Sequence, residues 1–122
     1  MAYDDQNIFA KILRGEIPAA KVYEDDYAFA FNDINPLAPT HILVIPKGSY
    51  VSSADFTETA SDAEIAGFMR AVGKIAKQAG IEDGGYRLIT NHSTNARQEV
   101  PHFHMHIVGG ADLGRMMDPI KG

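Results

Sequence analysis

Three of the chain's five histidines fall in one short stretch, His102-Phe103-His104-Met105-His106, followed by Ile107-Val108. In an extended chain the two-residue alternation places His102, His104 and His106 on one face and Phe103, Met105 and Ile107 on the other. Neighbouring histidines on that face then have Cα atoms roughly 6.6 Å apart, from a rise of about 3.3 Å per residue. Three readings of this pattern are open. The plainest is a polar face without chemistry, although each ring needs hydrogen-bond partners if it is buried. The second is a zinc site in which alternate histidines share an ion with a further ligand such as His41. The first and third rings are far apart for one ion, and no Asp, Glu or Cys stands at a complementary spacing inside the stretch. The third is attack on phosphorus. Imidazole titrates near pH 6.5 and is a neutral nucleophile at pH 7, and the phosphoimidazole it forms can be opened by water. The middle ring would attack while its flanks donate to phosphate oxygens or to the leaving group.

The elements that must position these rings can be read from the pattern. Asn7 to Arg14 reads as a short helix, with Ile8, Phe9, Ile12 and Leu13 at helical spacing and Gly15 as its stop. Lys21 to Glu24 and Tyr27 to Phe31 read as strands joined by an Asp25-Asp26 turn. The turn-rich Asn32 to Pro36 leads into His41 to Ile45, a β-branched run ended by Pro46 that reads as a buried strand. The spacing predicts a long helix over Asp62 to Gln78, opened by a Ser61/Glu64 capping box, with an apolar stripe of Ile65, Phe68, Met69, Val72, Ile75 and Ala79. Tyr86 to Asn91 and Val100 to Val108 read as further strands. His92, alone among polar neighbours, reads as a solvated loop residue. The expectation is an α+β fold, a mostly antiparallel sheet of about five strands with one long and one short helix, in a single domain spanning residues 1–122.

Composition narrows the function. A net charge of −5 argues against a nucleic-acid partner, which needs a basic face. It leaves room for a small anionic ligand in a local pocket. No cysteine is present, so there is neither a disulfide framework nor a thiolate metal site. No apolar run approaches the roughly 20 residues of a membrane span. The acidic, polar start from Met1 to Gln6 is unlike a secretory signal. A cytoplasmic protein without a membrane partner is the expectation.

The stretch His102 to Val108 resembles the signature of the histidine triad family, three histidines alternating with apolar residues and followed by two more. The resemblance extends to Asn32-Asp33-Ile34-Asn35-Pro36-Leu37-Ala38-Pro39-Thr40-His41, to the opening Ile8-Phe9-Ala10-Lys11-Ile12 with Glu16-Ile17-Pro18, to Gly85 through Asn91, and to Gln98-Glu99-Val100. It covers nearly the whole chain and is weakest at the tail. The branch most similar is that of the small dimeric purine nucleoside phosphoramidate hydrolases.

The resemblance implies a function and a site. His104 would be the nucleophile towards the α-phosphorus of a nucleoside 5′-phosphoramidate. His106 would contact phosphate and assist the leaving group. The carbonyl of His102 would fix the tautomer of His104, and His41 would support the network. Asn91, Gln98, Glu99 and Val100 would bind phosphate, with Glu99 expected to turn its carboxylate away and offer its amide. Asp33 would take the ribose hydroxyls. Ile8, Phe9, Ile12, Phe31 and Ile34 would line a purine pocket. No metal or other cofactor is expected. A homodimer built through the long helix and a central strand is expected, with a purine nucleotide as the ligand. Within the family, a dinucleoside polyphosphate hydrolase or a nucleotidyl transferase is the alternative. Outside it stand a zinc-dependent hydrolase and a non-catalytic nucleotide-binding dimer.

Overall fold

The computed structural model describes residues 2–122. Helix α1 spans Ile8–Leu13, strand β1 Lys21–Glu24, β2 Ala28–Asn32, β3 Thr40–Pro46, helix α2 Ser53–Thr59, α3 Asp62–Gln78, strand β4 Tyr86–Ile89 and β5 Met105–Gly109. The strands form one antiparallel sheet in the order β1-β2-β3-β5-β4. This is the expected α+β architecture, with one helix more than the sequence reading supplied.

Alternation along the strands sorts the sheet into two faces. Ala28, Ala30, Ile42, Val44 and Ile107 face α3 and build a core with Phe68, Ala71, Val72 and Ile75. Phe31, Leu43 and Ile45 face the other way and pack with Phe9 and Ile12 of α1. His41 lies on this second face, two residues before Leu43. His106 joins it, because it pairs directly with Leu43 across the β3/β5 ladder. A thick core therefore covers one side, while the thinner side under α1 carries the histidines.

Local signals explain the helices. Asn7 caps α1 by accepting from the Ala10 amide. Ser61 and Glu64 form the expected capping box of α3. The buried stripe of α3 is rotated from expectation: Ala71 and Ala76 are buried, while Met69 is 45% exposed and Ala79 is exposed. Small alanines let the helix lie close to the sheet, which tilts the larger Met69 out. The unforeseen helix α2 opens with a second capping box, Ser52 with Asp55, and anchors itself by the single buried ring of Phe56 among Tyr50, Phe68 and Phe103.

The last strand begins later than expected. Only Met105–Gly109 is strand, and Pro101 to His104 approach it as irregular chain. The Phe103 amide donates to the Tyr50 carbonyl at 2.7 Å instead of joining the ladder. Phe103 enters the α3-side core on a stacked contact with Phe56. The three histidines are thus not one regular row on a strand.

Candidate active site

Each ring of the triad has a distinct environment. His102 is 1% exposed and lies behind the site. Its Nε2 stands 3.0 Å from the Pro46 carbonyl and its Nδ1 2.6 Å from the Tyr3 hydroxyl. A carbonyl accepts and never donates, so Nε2 carries the proton and Nδ1 accepts from Tyr3. Burial drives its pKa from 6.5 down to about 4.

His104 follows by the same logic. Its Nδ1 lies 2.8 Å from the His102 carbonyl, so Nδ1 is the protonated nitrogen and Nε2 keeps a bare lone pair. Among the described residues no buried side-chain nitrogen or oxygen lacks a partner. Nε2 of His104 has no protein partner, so it must be open to the cleft. The ring is clamped edge-on by Phe9 at a centroid distance of 5.0 Å. Burial lowers its pKa, opposed by the His102 carbonyl and by the carboxylates of Glu99 and Asp33.

A second chain of bonds fixes His106. The Leu37 amide donates to His41 Nδ1 at 3.0 Å. His41 must therefore carry its proton on Nε2, which lies 2.9 Å from His106 Nδ1. His106 accepts there, and its own proton resides on Nε2. The two rings sit on diagonal positions of neighbouring strands, His41 pairing with Val108 and His106 with Leu43. Burial and the neighbouring histidines hold the His106 pKa down at about 4. The site at neutral pH thus presents an acceptor, His104 Nε2, beside a donor, His106 Nε2–H, with ring centroids 5.2 Å apart.

These rings open onto a cleft of about 320 Å³ lined by Phe9, Asp33, Asn35, Leu37, His41, Leu43, Asn91, Arg97, Glu99, Val100, His104 and His106. A larger cavity, about 680 Å³, lies between Gly80–Arg87 and Gly110–Gly114. It is lined by no histidine. Of the residues assigned from sequence to phosphate, Asn91, Glu99 and Val100 line the cleft. Gln98 does not: its Nε2 donates to the carbonyls of Val51 and Val100, at 2.6 and 3.0 Å, and its Oε1 accepts from the Ser93 amide. It braces the loop. Glu99 was expected to turn away, yet it lines the cleft and acts electrostatically on His104.

Asp33 also lines the cleft, with Oδ1 accepting from the Asn35 amide and Oδ2 3.5 Å from His41 Nε2. Of the five residues assigned to the base, only Phe9 is a lining residue. Ile12 and Phe31 are buried one layer behind, in the α1 core. Ile8 is 46% and Ile34 91% exposed, so both stand at the surface. Leu37 and Leu43 supply the apolar lining in their place. Arg97 was missed by the sequence reading. Its signal was a cation in the loop just ahead of the triad.

His92 is exposed, as expected, but it is not merely solvated. Its Nδ1 lies 2.6 Å from the buried Ser52 hydroxyl, tying the loop to the start of α2.

Asp33, His41 and His106 bring ligand-type atoms within 4.8 Å of one another. The acid comes from the β2–β3 connection, outside the triad stretch where it was sought. The set fits a cation poorly. The His41 nitrogen facing the cluster carries a proton, and that proton is already given to His106. A metal would have to displace it.

Comparison with known proteins now fixes the family. The HIT domain model matches residues 14–113. The chain belongs to the histidine triad (HIT) family. It is 57% identical over 115 residues to a 13.2 kDa HIT-like protein of Azospirillum brasilense, covering 94% of each chain. It is 43% identical over 113 residues to the purine nucleoside phosphoramidase of Escherichia coli K12, covering 93% of this chain and 94% of that one. A solved HIT family hydrolase from Clostridium thermocellum superposes with a TM-score of 0.83 at 39% identity, over 92% of this chain and 96% of that one. In this HIT protein the triad thus turns His104 and His106 to the cleft and keeps His102 buried behind them. No helix among the described residues is long and apolar enough to cross a membrane.

Proposed function

We propose that this HIT protein is a nucleotide hydrolase that cleaves purine nucleoside 5′-phosphoramidate-type substrates through a nucleotidyl-histidine on His104. The observation that carries this reading is the bond from His104 Nδ1–H to the His102 carbonyl. It holds the ring in the one tautomer whose Nε2 lone pair faces the cleft. The likeness to the phosphoramidase of Escherichia coli supports the substrate class.

In the first step Nε2 of His104 forms a bond to the α-phosphorus as the bond to the leaving nitrogen breaks. Nδ1 keeps its proton, and the positive charge gained by the ring is stabilised by the His102 carbonyl. The leaving nitrogen takes the bonding pair and, with a proton from solvent, departs as the amine. His106 is neutral at pH 7, so it serves as a hydrogen-bond donor through Nε2 to a phosphoryl oxygen or the leaving atom. Water then attacks phosphorus and gives up a proton to solvent as the bond to His104 Nε2 breaks, and the nucleoside monophosphate is released. Asp33 is placed to accept from the ribose hydroxyls. Phe9, Leu37 and Leu43 offer apolar contact to a purine and few bonds to its edge.

A homodimer belongs to the same reading. Strand β4 is a sheet edge, and its Leu88 and Tyr86 are 38% and 37% exposed, as is Met69 of α3 at 45%. An open edge flanked by apolar side chains is suited to a second copy.

The test is His104→Asn in the full chain. Turnover of adenosine 5′-phosphoramidate should fall by at least about 10³, the scale of a lost nucleophile, and wild type quenched in turnover should carry an acid-labile nucleotidyl mass on His104. Near-normal turnover in the variant overturns covalent catalysis. Activity abolished by chelator would instead support the zinc-dependent alternative, and tight nucleotide binding without turnover a non-catalytic one.

A further inference from the structure

The loop ahead of the triad turns two opposite charges into the cleft. Gln98 faces inward and is pinned by Val51, Ser93 and Val100. Its neighbours on either side are thereby turned outward, and both Arg97 and Glu99 line the cleft with His104 and His106. Arg97 has φ of +55° and Ser93 +63°. Residues bearing a Cβ hold such angles at a cost and only where the surroundings dictate them. The braces from Gln98 supply that constraint, so the two charges are presented from a fixed turn.

Neither side chain is consumed by the protein. Arg97 and Glu99 form no ion pair among the described residues. Glu99 is nevertheless close enough to favour the cationic form of His104. His104 and His106 are neutral at pH 7, His41 accepts from the Leu37 amide at Nδ1 and so holds a single proton, and Asp33 is a second carboxylate. Among the described lining residues Arg97 is therefore the one cation. A carboxylate beside a phosphoryl site opposes every phosphate that enters, so it needs a compensating gain.

We propose that Arg97 and Glu99 select the leaving group: Arg97 takes the phosphoryl anion, while Glu99 favours an amine bearing a positive charge and rejects leaving groups bearing carboxylates or further phosphates. This rests on the nucleotide hydrolase reading and narrows its substrate class. A phosphoramidate monoester brings one negative charge, which Arg97 matches. A dinucleoside polyphosphate brings several more past Glu99. In-line attack by His104 places the departing group on the side of phosphorus opposite the ring, and Arg97 and Glu99, both exposed, line the cleft it must leave through. The site is built to prefer cationic amines over polyphosphates.

The experiment uses adenosine 5′-phosphoramidates of three amines of similar size: 2-aminoethyl (cationic), propyl (neutral) and 2-carboxyethyl (anionic). Their kcat/KM values are compared in wild type, Glu99→Gln and Arg97→Gln. Wild type should favour the cationic over the anionic substrate. Glu99→Gln should shrink that ratio about three- to tenfold, the scale of one partly solvated charge pair, and high salt should shrink it in wild type. Arg97→Gln should lower all three by a similar factor, with partial recovery in Arg97→Lys. An unchanged cationic-to-anionic ratio in Glu99→Gln overturns the proposal while leaving the hydrolase reading intact. Failure of wild type to cleave any of the three overturns both.

Discussion

The hydroxyl of Tyr3 lies 2.6 Å from Nδ1 of His102, ninety-nine residues further along the chain. The ring of Tyr3 meets that of His102 edge-on, at a centroid distance of 5.6 Å. Since His102 Nε2–H is given to Pro46, the Tyr3 hydroxyl must be the donor. The segment before α1 thereby holds the back of the triad. His102 in turn lends its carbonyl to His104. Tyr3 is a positioning residue two hydrogen bonds removed from His104, the proposed nucleophile.

Tyr3→Phe should remove that donor and leave a buried imidazole nitrogen unsatisfied. A loss of about 1–2 kcal/mol in unfolding free energy is expected, measured by urea denaturation. Turnover should fall a fewfold in kcat with KM little changed, because nothing in the cleft itself is altered. The His102 Nδ1 nitrogen chemical shift should move at the same time. An unchanged shift together with unchanged stability would remove Tyr3 from the network.

Acid should destabilise the fold well above the carboxylate range. His102 and His106 titrate near 4 in the folded protein, lowered from 6.5 by burial. As pH falls below 6.5 the unfolded chain takes up protons first. Their contribution is therefore complete above about pH 7, erodes through pH 6 and 5, and is spent below about 4. For His102 the loss is about 2 kcal/mol near pH 5. His106 is partly open to the cleft and should lose less. Denaturation of wild type and His102→Gln at a series of pH values checks this, and equal slopes for the two proteins between pH 7 and 5 would contradict it.

Much of this was legible in the residue pattern. The sheet, both ends of α3 and the grouping of His41 with the triad all follow from periodicity, capping residues and the motif. What escaped was set by contacts between distant segments. The hydrogen bond from Phe103 to Tyr50 takes His102 out of the strand. Alternation alone could not show that, since it assumes a regular ladder. The bracing role of Gln98 depends on Val51, forty-seven positions away. Helix α2 was hidden because it buries one residue, Phe56, and so has no stripe to read.

The activity profile should keep its acid limb below pH 6.5. His104 must be neutral to attack, and burial lowers its pKa despite the opposing carboxylates. Glu99→Gln removes one of those carboxylates, so the limb in kcat/KM should move further to lower pH. A limb that moves to higher pH, or an acid limb in wild type above 6.5, would contradict the assignment of His104 as the titrating nucleophile.

His41→Asn tests the second chain of hydrogen bonds. In wild type the Leu37 amide forces the His41 proton onto Nε2, and that proton in turn forces the His106 proton onto its own Nε2. Without the imidazole, His106 Nδ1 loses its fixed donor, and its two neutral tautomers become comparable in energy. The donor facing the cleft is then present part of the time. Removing one of the neighbouring rings that depress its pKa should also let His106 titrate closer to 6.5. The expected results are a kcat lower by roughly tenfold to a hundredfold, the range for a disturbed donor, and nitrogen shifts of His106 that report tautomer averaging. Retention of a single His106 tautomer in the variant would mean that something other than His41 sets it. The donor role assigned to Nε2 would then have lost its structural cause.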